Sequence, residues 1–272
     1  QRAVQPHVLT YSLRELLNHG FIEENVTPTR GGRSITIYHL SDMRLIKRKI
    51  ADAAGRKRLL QTRFNGWATG EGKSDFAGTI GKAGEAVLQM SMKAAATNPG
   101  VPAAVAQPDV RVPRVTDMFG IEVPIGPLDN AMVRVDNGKV IYLPVEMKNR
   151  RGWLYSDANE VYQLLAKAAH MQAQHPHLLI CPVLVCRRGQ YTLFAMMRSV
   201  GGYAIQTKEQ YVLADIDTRL VQEVRNELGY DLVQAVQPPA LLTSQFVKSL
   251  PRQAPVQAEK WRSLAPQLLP YL

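Results

Sequence analysis

The chain of 272 residues carries 33 lysines and arginines against 23 aspartates and glutamates, a formal net charge of +10. Its content of hydrophobic residues, 46%, suffices for a packed core, yet no apolar run reaches the roughly 18 residues that a membrane-spanning helix needs. These features exclude a disordered chain and an integral membrane protein, and they favour a polyanion as the partner.

The first predicted element is a short helix over residues 12–18, with Ser12 as its N-cap. Two strands follow, separated by a basic glycine turn that runs from Arg30 to Arg33. This order of helix, strand, basic turn and strand resembles the last helix and wing of a winged-helix domain. A truncated winged helix and a plain β-hairpin appended to the next domain are both compatible with the pattern.

An amphipathic helix with a strongly basic face is predicted within residues 41–63. This segment holds eight basic residues against two acids. A solvated helix face is the structural alternative, but the charge excess favours contact with nucleic-acid phosphates. The nucleic-acid-binding residues predicted in the turn and the helix are Arg30, Arg33, Arg44, Lys47, Arg48, Lys49, Arg56, Lys57 and Arg58.

The remaining chain is predicted to form an α/β domain followed by a tail. Its elements are a glycine-rich loop (64–78), a helix (79–96), a proline-rich connection (99–113), strands (120–125, 131–135 and 139–147), a helix (157–174), strands (177–186 and 191–197) and a helix (217–228). The domains predicted are a basic segment (1–63), the α/β domain (64–236) and a proline-rich tail (237–272). The order of the elements predicts a mixed central sheet flanked by helices.

The two cysteines lie on one of these predicted strands. A chain of this length with only Cys181 and Cys186 is no disulfide scaffold, and it fits a reducing compartment. The first residues show no secretory signal pattern, so we expect a cytoplasmic protein. Because the cysteines are five residues apart on a strand, they face opposite sides, which is poor geometry for zinc.

Charged residues converge at one edge of the predicted sheet. Asp129 begins one strand of a hairpin and Glu146 lies near the end of the returning strand, so the turn brings both carboxylates to the same edge. Glu146 and Lys148 are two residues apart and face the same side. Two carboxylates offer the hard oxygen ligands that Mg²⁺ or Mn²⁺ prefers. A neighbouring lysine can orient water or offset phosphate charge, so the pattern favours metal-assisted phosphodiester hydrolysis.

These residues resemble the signature of the PD-(D/E)XK nuclease superfamily. The likeness rests on the Pro-Leu-Asp run at 127–129 and the Glu-Met-Lys run at 146–148, with one departure, the leucine between the proline and the aspartate. Glu85 on the preceding helix and Gln163 on the following helix match further positions of the family. The resemblance covers residues 79–200 and implies a restriction-endonuclease-like αβββαβ core.

The resemblance implies an endonuclease that needs Mg²⁺ or Mn²⁺ to hydrolyse DNA, with RNA as the alternative substrate. The metal ligands that it implies are Asp129, Glu146, Glu85 and the carbonyl of Met147. Lys148 would position the attacking water, and Gln163 would support the site. With its basic segment the chain is similar to restriction and other bacterial defence nucleases that carry a winged helix. Because many members dimerise to cut both strands, a homodimer or a larger complex is also implied.

Each of these catalytic candidates has a structural alternative. Glu146 and Lys148 could form a solvent-facing pair on an edge strand, and Asp129 could be an ordinary turn residue. Glu85 and Gln163 could be polar surface residues of their helices.

Arg150 and Arg151 follow the lysine strand and are predicted to contact the phosphate backbone. A charged loop with a structural role is the alternative for both. At the level of the whole protein, two other functions stay open: a non-catalytic DNA-binding regulator, and a structural subunit of a nucleic-acid-processing complex.

Overall fold

The computed structural model describes residues 6–28, 34–41, 48–69, 78–98, 102–106 and 114–272. The chain forms two units, residues 1–77 and 78–272. None of the described helices is long and apolar enough to cross a membrane.

The first unit contains a helix, a hairpin and a second helix. Its elements are α1 (Pro6–Asn18), β1 (Ile22–Pro28), β2 (Ser34–Leu40) and α2 (Arg48–Thr69). β1 and β2 pair antiparallel, which confirms the predicted hairpin. The predicted N-cap is wrong, because α1 begins six residues before Ser12 and the Ser12 hydroxyl donates to the carbonyl of Val8 inside the helix.

The second helix of this unit extends beyond its predicted end at residue 63. Residues 64–69 are helical and not part of a loop, so the domain boundary predicted at residue 63 falls inside α2. The reason is an apolar stripe: Leu60, Phe64 and Trp67 recur at helical spacing and are all buried.

The second unit is mixed α/β, as predicted, with a mixed sheet flanked by helices. Its elements are α3 (Thr79–Ala96), β3 (Ala103–Val105), β4 (Asn130–Asp136), β5 (Lys139–Lys148), α4 (Asn159–Gln174), β6 (Leu179–Ile180), β7 (Val183–Cys186), α5 (Tyr191–Val200), β8 (Tyr203–Gln206), β9 (Gln210–Val212), α6 (Thr218–Leu228), β10 (Leu232–Gln234), α7 (Ala240–Ser244) and α8 (Leu250–Leu268). A π-helical turn, Gln245–Ser249, joins the last two helices, and a 3₁₀ turn, Leu269–Tyr271, follows them.

The sheet has the strand order β3-β4-β5-β7-β8, and β6 also pairs with β5. The first three strands pair antiparallel, whereas β5, β7 and β8 are parallel and are connected through the helices α4 and α5. Asn137 and Gly138 turn the β4–β5 hairpin with φ angles of 48° and 75°, the left-handed conformation that a tight hairpin requires. β9 and β10 form a separate parallel pair.

Two of the predicted strands are wrong. Residues 120–125 lie in an irregular segment with positive φ at Phe119 and Ile125, and the first strand of the sheet is β3 instead. Residues 191–197 belong to the helix α5, which buries Leu193 and Met197 one turn apart. A short apolar run of this kind fits a strand and a helix equally well in sequence.

The segment predicted as a proline-rich tail is mostly helical and packs into the second unit. A stripe of residues at helical spacing is buried along α8: Leu250, Ala254, Ala258, Trp261 and Ala265. The backbone of Trp261 lies so close to Gly201 that a Cβ there would collide with it. One proline follows the π-helical turn at the start of α8, and two more, Pro255 and Pro266, lie inside the helix, where a proline has no N–H to donate.

Apolar layers cover both faces of the sheet. One layer contains residues of α3 and the first half of α8, and the other contains residues of α4, α5 and the second half of α8. Cys181 belongs to the first layer and Cys186 to the second, which confirms that they face opposite sides of the sheet. Both are buried free thiols, and burial raises their pKa.

The end of β5 is fixed against α3 by Asn149. Its side-chain amide donates to the carbonyls of Ile80 and Tyr211 at 2.6 and 2.7 Å, and its oxygen accepts from the N–H of Tyr211 at 2.9 Å. Gly84 of α3 makes this close approach possible, because a Cβ there would lie 2.6 Å from the Cβ of Asn149.

We therefore expect Gly84→Ala to destabilise the protein, even though alanine favours a helix by about 1 kcal/mol. The collision with Asn149 should cost about 1–3 kcal/mol, and the change is measured as the midpoint of urea unfolding. The matched control is Gly81→Ala in the same helix, where a Cβ has no neighbour within 4 Å. This substitution should stabilise the protein. Equal stabilisation by both substitutions would contradict the packing described here.

Candidate active site

The β4–β5 hairpin places two carboxylates side by side. In its register Asn130 faces Val145, so one further step sets Asp129 opposite Glu146. Asp129 Oδ2 accepts a 2.7 Å hydrogen bond from the backbone N–H of Met147. The side chains of Asp129 and Glu146 are only 4% and 6% exposed. The structure thus brings together the two carboxylates singled out in the sequence and buries both of them.

Lys148 joins the two carboxylates from the same strand. Its Nζ lies 2.8 Å from Glu146 Oε2 and 3.7 Å from Asp129 Oδ2, as the two-residue spacing on β5 predicts. Burial alone would lower the pKa of Lys148, but the two carboxylates outweigh burial and raise it. Lys148 is therefore an ammonium ion at neutral pH.

A second lysine, Lys167 of α4, approaches Glu146 from the other side. Its Nζ lies 2.7 Å from Glu146 Oε1 and 2.5 Å from the carbonyl of Pro127. Lys167 was not among the predicted site residues; the residue predicted on α4, Gln163, lies one turn earlier and is exposed. The available signal was a lysine set between the buried Leu164 and Ala168, since a charged residue among core positions needs a partner.

Glu85 reaches the cluster through an arginine. Arg114 Nη2 lies 2.9 Å from Glu85 Oε1, and its Nε lies 3.8 Å from Asp129 Oδ1. Glu85 is thus connected to Asp129 through a cation. Arg114 was not among the predicted site residues, and it precedes the hairpin by 15 residues or more.

Burial and mutual repulsion dominate the electrostatics of the pair. Burial and the neighbouring charge of Glu146 raise the pKa of Asp129 to about 7. Burial would raise the pKa of Glu146 too, but Lys148 and Lys167 outweigh it and hold that pKa below its ordinary value. Near neutral pH Glu146 is therefore ionised, whereas Asp129 is close to its pKa and is partly protonated.

The donor set suits a hard divalent cation that keeps part of its water shell. Among the residues that the structure describes, no group of three or more histidine, cysteine, aspartate or glutamate side chains converges as a metal site. Mg²⁺ typically binds one or two carboxylates and completes its shell with water and substrate phosphate oxygens. Asp129 and Glu146 fit that requirement. The contact of Met147 described here uses its N–H, so the role of its carbonyl stays a prediction.

The residues predicted to bind nucleic acid are found in different settings. Arg30, Arg33, Arg44 and Lys47 lie outside the described residues, and of Arg48 and Lys49 only the helical backbone is described. Exposed side chains on α2 are those of Arg56, Lys57 and Arg58.

The two arginines after β5 both have acidic partners in the second unit. Arg150 pairs with Glu160 at 2.6 Å and donates to the carbonyl of Trp153. Arg151 lies 2.7 Å from Asp231.

Comparisons of the chain with protein-family models, with curated proteins and with solved structures found no match.

The raised pKa of Asp129 predicts that its ionised carboxylate lowers the free energy of unfolding at alkaline pH. Between its ordinary value of 3.8 and its folded value of about 7, the native state binds more protons than the unfolded state, so stability falls as the pH rises through this range. Asp129→Asn removes the charge and keeps an oxygen for the Met147 N–H. In metal-free buffer at about pH 8 it should raise the free energy of unfolding by on the order of 2 kcal/mol.

Urea unfolding at about pH 8 and at about pH 4 measures this effect, which should shrink at the lower pH. The control is Asp215→Asn at an exposed aspartate, which should change stability by less than about 0.5 kcal/mol. Destabilisation by Asp129→Asn at both pH values would show that the carboxylate serves as a stabilising ion-pair partner.

Proposed function

We propose that the chain is a metal-dependent DNA endonuclease of the PD-(D/E)XK type. The observation that carries the proposal is the convergence of Asp129, Glu146 and Lys148 at one edge of the sheet, with the carboxylates buried and the lysine within 4 Å of both. The order of α3, three strands, α4 and β7 supports a restriction-endonuclease-like core, with β3 in the place predicted for residues 120–125.

Asp129 and Glu146 would hold the divalent ion. When bound, Mg²⁺ or Mn²⁺ would polarise a phosphoryl oxygen and lower the pKa of a water molecule. Asp129 must be ionised to bind a cation, and its raised pKa means that binding releases a proton near neutral pH.

Lys148 would act as a fixed cation beside the reacting phosphate. As an ammonium ion it has no lone pair to accept a proton, so it would orient the attacking water and offset the growing negative charge. Lys167 holds the other oxygen of Glu146 and the carbonyl of Pro127, so it would be a positioning residue for this carboxylate. Glu85 would act on the site through Arg114, and Gln163 of α4 would support the site.

The proposed substrate is DNA, with RNA as the alternative. The net charge of +10 and the exposed basic residues of α2, Arg56, Lys57 and Arg58, support a polyanionic partner. A homodimer would bring two sites to the two strands of a duplex. The two buried free thiols fit the reducing cytoplasm in which restriction and defence nucleases act.

A second candidate is a non-catalytic nucleic-acid-binding protein. The observation that favours it is the charge balance of the cluster: the three carboxylates of Asp129, Glu146 and Glu85 face the three cations of Lys148, Lys167 and Arg114. Such a network neutralises itself and could serve to fix the end of β5.

Cleavage of supercoiled plasmid DNA separates the two candidates. The wild-type protein with Mg²⁺ should nick or linearise the plasmid, and Lys148→Ala and Glu146→Gln should each lower the rate by about 100-fold or more. Lys148→Ala removes a cation that would offset negative charge in the transition state, and Glu146→Gln removes a carboxylate that would hold the metal ion. The readout is the initial rate on agarose gels.

The matched control is Lys139→Ala, since Lys139 lies at the other end of β5 and its side chain is 64% exposed. This variant should cut like the wild type. Binding of DNA by a wild-type protein that never cuts it would establish the non-catalytic candidate, and equal cutting by all four proteins would remove the assigned residues from catalysis.

A further inference from the structure

Three arginines surround a single carboxylate near the candidate active site. Arg187 donates from Nε and Nη2 to Asp231 Oδ1 at 3.0 and 2.6 Å and also pairs with Oδ2 at 2.5 Å. Arg151 Nη1 lies 2.7 Å from Oδ1, and Arg188 Nη2 lies 3.2 Å from Oδ2. One negative charge against three positive charges leaves this cluster, the arginine cluster, with a net charge of +2.

The arginine cluster lies at the same edge of the sheet as Lys148. Arg187 directly follows β7, and its backbone N–H donates to the carbonyl of Lys148 at 3.3 Å. Adjacent strands in a sheet are about 4.8 Å apart, so the two backbones are immediate neighbours. Glu146 and Lys148 lie at the end of β5, and Arg187 and Arg188 follow the end of the neighbouring parallel strand β7.

In the cluster the buried Arg187 lies beneath two partly exposed arginines, Arg151 and Arg188, which we call the rim arginines. The side chain of Arg187 is 3% exposed, and its Nη1 donates to the carbonyl of Arg151 at 2.8 Å. Arg151, Arg188 and Asp231 are 36%, 26% and 24% exposed. The guanidinium of Arg151 also lies 3.7 Å from the centre of the Tyr230 ring, which holds its plane. The guanidinium orientations are thus set before any ligand arrives.

We propose that Arg151, Arg187 and Arg188 form a binding site for a phosphate group of a nucleic-acid strand. The proposal rests on the proposed function, because it supplies a second contact for the strand that the carboxylates would cut. Guanidinium groups bind phosphate oxygens through paired hydrogen bonds, and a phosphate matches the uncompensated charge of the cluster. Asp231 keeps the arginines in place and lowers the net charge of the cluster to +2. Either an internal phosphodiester or a terminal phosphate supplies this chemistry.

Binding of a short labelled oligonucleotide in EDTA tests the site without any cleavage. The variant Arg151→Gln/Arg188→Gln removes the two rim arginines and leaves the buried Arg187–Asp231 pair intact. We expect affinity to fall about tenfold and the salt dependence of binding to lose about one counterion, measured by fluorescence anisotropy. The matched control is Arg252→Gln at an exposed arginine of α8, which should bind like the wild type.

Two versions of the oligonucleotide, with a 5′-phosphate and with a 5′-hydroxyl, distinguish the sources of the phosphate. Preference of the wild type for the 5′-phosphate, lost in the double variant, would assign the site to a strand end. Equal weakening of both versions would assign it to an internal phosphate. Unchanged binding of both versions by the double variant would overturn the proposal.

Asp231→Asn tests the same site in the opposite direction. It removes the resident negative charge, so inorganic phosphate should raise the melting temperature of this variant more than that of the wild type. A purely structural ion pair would lose stability without gaining phosphate binding, and equal shifts in both proteins would overturn the proposal. Should this variant not fold, the double variant decides the question alone. These binding measurements are made without metal. A wild-type protein that fails to cleave DNA would therefore remove the nuclease proposal without changing their result.

Discussion

Two carboxylates buried side by side set the central constraint on the second unit. An uncompensated charge in a protein interior is costly, so Asp129 and Glu146 can stay buried only where cations and hydrogen bonds oppose their charge. Lys148 lies on the same strand as Glu146, Lys167 lies on α4, and Arg114 lies in the segment before the hairpin. The elements around the sheet edge are therefore connected through one electrostatic cluster. Its cations do not fully offset the burial of Asp129 and its repulsion by Glu146, so the pKa of Asp129 is raised.

The packing behind the cluster is what keeps this strand end rigid. Asn149, the residue after β5, bonds to backbone groups of α3 and β9, and Gly84 lets α3 approach it closely. A catalytic or binding group needs such support, because small errors in position cost much of its effect. The arginine cluster is built in a similar way, with Arg187 buried beneath the more exposed arginines.

Local patterns in the sequence suffice for the parts of the site that are close along the chain. The Asn-Gly turn sets the hairpin, the hairpin sets Asp129 opposite Glu146, and the two-residue period sets Lys148 beside them. Lys167 and Arg114 could not be found in this way, because their contacts with the carboxylates depend on how α4 and the segment before the hairpin pack. Helical spacing was present in α8, but its prolines obscured it, and the ten residues of α5 are too few to separate a helix from a strand.

The central proposal is that Asp129 and Glu146 bind a divalent cation, and calorimetric titration of the full chain with Mn²⁺ at about pH 7 tests it most directly. In buffers of different ionisation enthalpy the wild type should bind the ion and release a proton, because Asp129 must ionise. Glu146→Gln should lose the binding heat. Identical titrations of the wild type and this variant would contradict the account.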